Sequence, residues 1–202
     1  MLPHLHAVHS LYAAEQVPFR KVHRLIDLFE SLIKTYTIVI IGESLRYNRL
    51  SEAAKDLLSQ GLRAPSLRTW VLIGRELYKE LGGNKFKWTA EGFDIAFEDL
   101  IKALNQSKTD AVALRNKYTQ GATPVDAECM ADIRQFHPLA LRLLQSPWLL
   151  SSNLVVKENL IFLMEGDGSL SLHPLLLYRP EQGDSAFTFF KDFKYNQIIL
   201  IN

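Results

Sequence analysis

The chain has 202 residues, of which 48% are hydrophobic and 22% charged. That is enough to bury a core as one large domain, or one domain with an attached appendage, and it excludes wholesale disorder. The formal net charge of +1 argues against a protein built as a whole to hold a polyanion, although residues 1–88 carry a net +5 and residues 89–202 a net −4.

The first sixteen residues, MLPHLHAVHSLYAAEQ, place no basic stretch ahead of an apolar run, so no secretory leader is expected. The LHAVHSLYAAE segment predicts a short helix ending before Pro18. His4, His6 and His9 crowd this start, yet no Cys or acid stands beside them at a ligand spacing, so packing is expected and no metal.

From Phe19 the apolar residues Val22, Leu25, Ile26, Phe29, Leu32, Ile33 and Tyr36 recur at intervals of three and four, and Ile38 to Ile41 continue almost wholly apolar. This pattern predicts a long central helix, buried on most sides in its C-terminal half. The run from Ile38 to Gly42 is the most apolar of the chain and far too short to span a bilayer, so no membrane contact is expected.

Ser51 and Glu52 can start a second helix that Gly61 can stop, and Ser66 can cap a third that Gly82-Gly83 ends. Trp70, Ile73, Leu77 and Leu81 line one face of the third and are expected in the core. Arg46, Arg49, Lys55, Arg63 and Arg68 make this the most basic portion of the chain, a candidate nucleic-acid contact that Glu52 and Asp56 dilute.

Residues 84–90 read as a linker anchored by Phe86 and Trp88. A helix from Glu91 to about Gln106 follows, with Phe93, Phe97, Leu100, Ile101 and Leu104 as its buried stripe. The next is expected from Thr109 to about Thr119 and is ended by Gly121. Thr123-Pro124 then starts another, from Val125 to near Gln145, bent before Pro138 because proline lacks an amide donor. Cys129 lies in it as the only cysteine, so no disulfide can close within the chain and a cytoplasmic setting is expected.

After Pro147-Trp148 the period changes. Short β-branched or aromatic runs are divided by turn signals at Glu165–Ser169 and Glu181–Asp184, which predicts antiparallel strands in sequence. Pro174 falls where only an edge strand or a break would tolerate it. The fold class expected is therefore α+β, a helical domain over 1–148 followed by an antiparallel β-meander over 149–202 packed on it. The chain stops straight after an apolar run, as the N-terminal module of a longer protein would.

One stretch, Leu114 to Ala122 (LRNKYTQGA), combines residue types and setting in a way that points to chemistry. An Arg-Asn pair at a helix end, three further residues and then a position followed by Gly resembles the R-N-x-x-x-H signature of the HEPN superfamily, helical domains many of which are metal-independent ribonucleases. The motif covers about eight residues, and the helical context roughly 100 more. The resemblance implies a homodimer meeting across the helices that carry the motif, within a regulatory or sensing part of a larger bacterial signalling or defence protein. That part would act on a downstream effector domain or protein partner.

In that family His takes the 2′-hydroxyl proton and Arg holds the charge that builds on the phosphate. Arg115 and Asn116 match the first two positions, but Gln120 stands where the His should be. A carboxamide accepts no proton near neutral pH, and losing a general base typically costs about 100- to 10,000-fold in rate. His137 could replace it only if the following helix folded back onto the motif. Alternatively, the Arg-Asn pair can simply satisfy the carbonyls at its own helix end.

The expectation is a non-catalytic association module without cofactors, with a metal-independent ribonuclease or a nucleic-acid-binding domain as alternatives. No phosphate-binding, dinucleotide-binding, serine-nucleophile or zinc-protease motif occurs elsewhere in the chain.

Overall fold

In the computed structural model the described residues are 3–46, 50–62, 66–81, 93–105, 110–119, 124–157, 160–165, 168–171, 190–192 and 197–199, with side chains described within residues 5–150. Among the described residues eight helices follow one another: α1 (Pro3–Ala14), α2 (Pro18–Arg46), α3 (Glu52–Gly61), α4 (Leu67–Glu80), α5 (Phe93–Asn105), α6 (Ala111–Thr119), α7 (Asp126–Leu144) and α8 (Pro147–Ser151).

The hub is α2, whose 29 residues extend about 44 Å at ~1.5 Å per residue. Val22, Leu25, Phe29, Leu32, Tyr36, Val39 and Ile40 are buried along it, as their spacing predicts. The helices α1, α4, α6 and α7 all pack against it. Where α2 meets α4, Thr37 is fully buried and its hydroxyl donates to the Trp70 carbonyl at 3.3 Å. The crossing is close because Gly74 faces Thr37 there; a Cβ on Gly74 would stand 2.7 Å from Thr37 Oγ1 and 3.2 Å from Phe97 Cζ.

The helix starts follow local chemistry. Ser51 Oγ accepts the Ala54 amide at 3.1 Å and Ser66 Oγ the Thr69 amide at 3.2 Å, so both expected caps close their first turns. Ser51 also donates its hydroxyl proton to the Glu80 carboxylate, joining the start of α3 to the end of α4. At α7 the outcome differs from the expected Thr-Pro start. Val125 is the capping residue and offers no side-chain bond, leaving Asp126 and Glu128 in the first turn to meet the positive helix end. Pro138 lies inside α7, which continues past it to Leu144.

The fold class departs from the α+β expectation. The body whose side chains pack is helical throughout, with helix over 89% of it, and it contains no strand. Trp148, the last residue of the expected helical domain, lies in α8 with Leu149, which was expected in the meander, and both are fully buried. The reason is packing: the indole stands 4.8 Å from the rings of both Tyr36 and Phe93, centroid to centroid, so the aromatic cluster recruits this segment into the bundle.

A meander over 149–202 is not shown. Among the described residues after Ser151 the backbone makes short antiparallel pairings in two sets, 152–157 with 160–165 and 160–165 with 168–171, and 190–192 with 197–199, and no described pairing joins the two sets. The expected turn at Glu181–Asp184 and the break at Pro174 lie outside the described residues, as do Gly166 and Asp167 of the other turn and the linker at 84–90. Among the described residues no helix is long and apolar enough to cross a membrane.

Candidate functional site

Leu114–Thr119 of the motif lie on α6, a helix of nine residues. Asp110 starts it, its carboxylate accepting the amides of Val112 at 2.8 Å and Ala113 at 3.0 Å. Ala111, Leu114 and Tyr118 turn inward and are buried, while Arg115 is half-buried and Asn116 exposed. Arg115 and Tyr118 both meet α2, at Glu30 and at the Phe19–His23 pair respectively, so α6 runs antiparallel to α2.

Arg115 Nε lies 4.0 Å from Glu30 Oε2, and Glu30 is also paired with Lys34 at 2.9 Å. The guanidinium thus reaches across to a neighbouring helix. The carbonyl of Arg115 is served by another group, the Thr119 hydroxyl, at 3.0 Å. The plain alternative, an Arg-Asn pair closing its own helix end, is therefore not what the Arg115 side chain does.

One turn further on, Asp132 of α7 gathers the end of α6. Its Oδ2 accepts from Lys117 Nζ at 2.6 Å and from the Tyr118 hydroxyl at 2.7 Å. Burial, together with the bond to Asp132, pushes the Tyr118 phenol well above its ordinary range, so it stays a donor at any working pH. The rings of Phe19 and His23 flank Tyr118 at centroid distances of 6.2 and 6.0 Å. Cys129 is fully buried, its sulfur 4.0 Å from the Pro124 carbonyl.

The following helix does fold back onto the motif, but it presents a carboxylate instead of an imidazole. His137 is engaged elsewhere: its Nδ1 lies 2.7 Å from the Tyr12 hydroxyl, which ties α7 to α1, and Lys21 sits 5.4 Å above the Tyr12 ring. Gln120 lies outside the described residues.

Among the other candidates, Arg49 and Arg63 also lie outside the described residues, as does the side chain of Arg46, whose backbone ends α2. Lys55 is paired with Glu52 at 2.6 Å and Arg68 is exposed in the first turn of α4. Of the three histidines near the start, His9 packs beside Tyr12, at 6.5 Å between ring centroids, and His6 is exposed. Among the described residues no group of His, Cys, Asp and Glu could hold a metal ion.

Glu30 and Asp132, the two acids that receive the motif, were not singled out by sequence. Neither stands at a telling spacing from Arg115, and only the topology brings them to α6.

The two contacts differ in depth, which gives an expected outcome. Replacing Arg115 by Ala removes a part-exposed pair and should cost no more than about 1 kcal/mol. Replacing Asp132 by Ala strands the buried Tyr118 hydroxyl and should cost about 1–3 kcal/mol. Urea unfolding of the two variants beside the parent protein checks the order.

No known family model, curated protein or solved structure matches the chain.

Proposed function

We propose that the helical body is a non-catalytic association module of HEPN-like kind, which pairs with a second copy through the helices around Arg115. It would serve as a regulatory or sensing part of a larger bacterial signalling or defence protein. The observation that carries the reading is the setting of the guanidinium. Arg115 faces the Glu30 carboxylate, the following helix meets the end of α6 with the Asp132 carboxylate at Lys117 and Tyr118, and His137 is bound to Tyr12.

Metal-free RNA cleavage needs a proton acceptor that titrates near neutrality and a cation free to receive the phosphate. A cation neutralised by an acid is poorly placed for the second task, because a phosphate would have to displace Glu30 and leave that carboxylate without Arg115.

Two measurements test this. Pure protein incubated with mixed RNA in EDTA should leave the RNA intact; scission that disappears in Arg115→Ala would restore the ribonuclease reading and end this one. Light scattering at micromolar concentration should give the mass of a dimer, and a strict monomer would remove the association claim.

A further inference from the structure

From the way α6 is held, we infer that it is an electrostatically latched strap, a helix that opens locally from α2, α5 and α7 while the rest of the bundle stays folded. Nine residues make too short a helix to persist in water on its own, so α6 depends on what it docks against. Its apolar grip is small: Ala111, Leu114 and Tyr118 are its buried residues, whereas α7 buries six, and it lies mainly on α2 and α5.

What it has besides is charge. Arg115 is held by Glu30 of α2 and Lys117 by Asp132 of α7, so these two helices each fasten the strap through one acid. Both cations are partly exposed, at 33% and 45%, so dissolved ions reach the pairs and screen them. Helices with few buried apolar contacts and solvent-reachable fastenings are the ones that open below the global unfolding free energy. Opening would withdraw Tyr118 from the Phe19–His23 pair, uncover those rings and free the Asp132 carboxylate. The inference does not depend on the association reading, since it concerns the docking of α6 within one chain.

Amide hydrogen exchange on the intact chain tests it, comparing residues 112–118 with residues 29–36 of α2 and 133–140 of α7. Raising NaCl from 50 mM to 1 M should speed exchange in α6 about tenfold, as expected for weakening two pairs of this kind, and leave the α2 and α7 segments unchanged. Asp132→Asn keeps an acceptor for Tyr118 while removing the charge, and Lys117→Gln removes the charge from the exposed side. Each variant should exchange faster than the parent protein in α6 at low salt and respond less to added salt. Equal protection of α6 and α2 at both salt concentrations would overturn the strap. So would acceleration shared by all three segments, because the event would then be global.

Discussion

Trp148→Ala should be among the most damaging single substitutions in this chain, lowering stability by about 3–5 kcal/mol. The indole is fully buried and packs on Tyr36 of α2 and Phe93 of α5, so truncation leaves a hole walled by two other aromatic rings. Those rings cannot collapse into it easily. Tyr36 is held at its hydroxyl by Ser146 Oγ at 3.1 Å, and Phe93 is stacked on Phe97 at 6.3 Å. Denaturant unfolding should show the midpoint moving with the slope unchanged. A loss below about 1 kcal/mol would mean that α8 is a dispensable appendage. The result bears on where the helical body ends, because a body ending ahead of α8 would leave the core almost untouched by its removal.

Gly74→Ala makes a second strong case, since the two effects of the change oppose each other. Alanine in a helix interior is worth about 1 kcal/mol over glycine. Here the added methyl would stand 2.7 Å from Thr37 Oγ1, and that oxygen has little freedom because its side chain is β-branched, fully buried and bonded to the Trp70 carbonyl. Phe97 closes the other side at 3.2 Å. Overpacking typically costs about 1–3 kcal/mol, so the net change should be destabilising. Combining it with Thr37→Ala should recover part of the loss, whereas simple additivity of the two in thermal unfolding would refute the contact as its cause.

Much of the helical body was legible in the sequence because its residues repeat at helical spacing. The stripe from Val22 to Tyr36, the Trp70–Leu77 face and the Phe93–Leu104 face are buried as that spacing requires, except that Ile101 is half-buried. The caps at Ser51 and Ser66 were legible for a local reason, as each bonds an amide only three residues away. Leu149 and Leu150, counted with the strand region, belong to α8; a short apolar run suits a strand or a short helix equally. The choice is made by Tyr36 and Phe93, more than fifty residues earlier in the chain.

The candidate site was legible only as a string. Arg115 and Asn116 could be picked out by type and order, but their chemistry depends on what faces them, and Glu30 lies 85 positions before Arg115. The same limit hid Asp132. An acid on the outer face of an amphipathic helix looks solvated until its neighbours are known, and here it collects a lysine and a tyrosine from α6.

The long helix α2 touches α1, α4, α6 and α7, and this has a bearing on how damage spreads. A defect in a peripheral helix perturbs one seam and can remain confined there. A defect midway along α2, near Leu32 or Tyr36, reaches several seams together, because each is sealed against the same rod. Tolerance to change along this chain should therefore follow a residue's distance from that rod more closely than its burial alone.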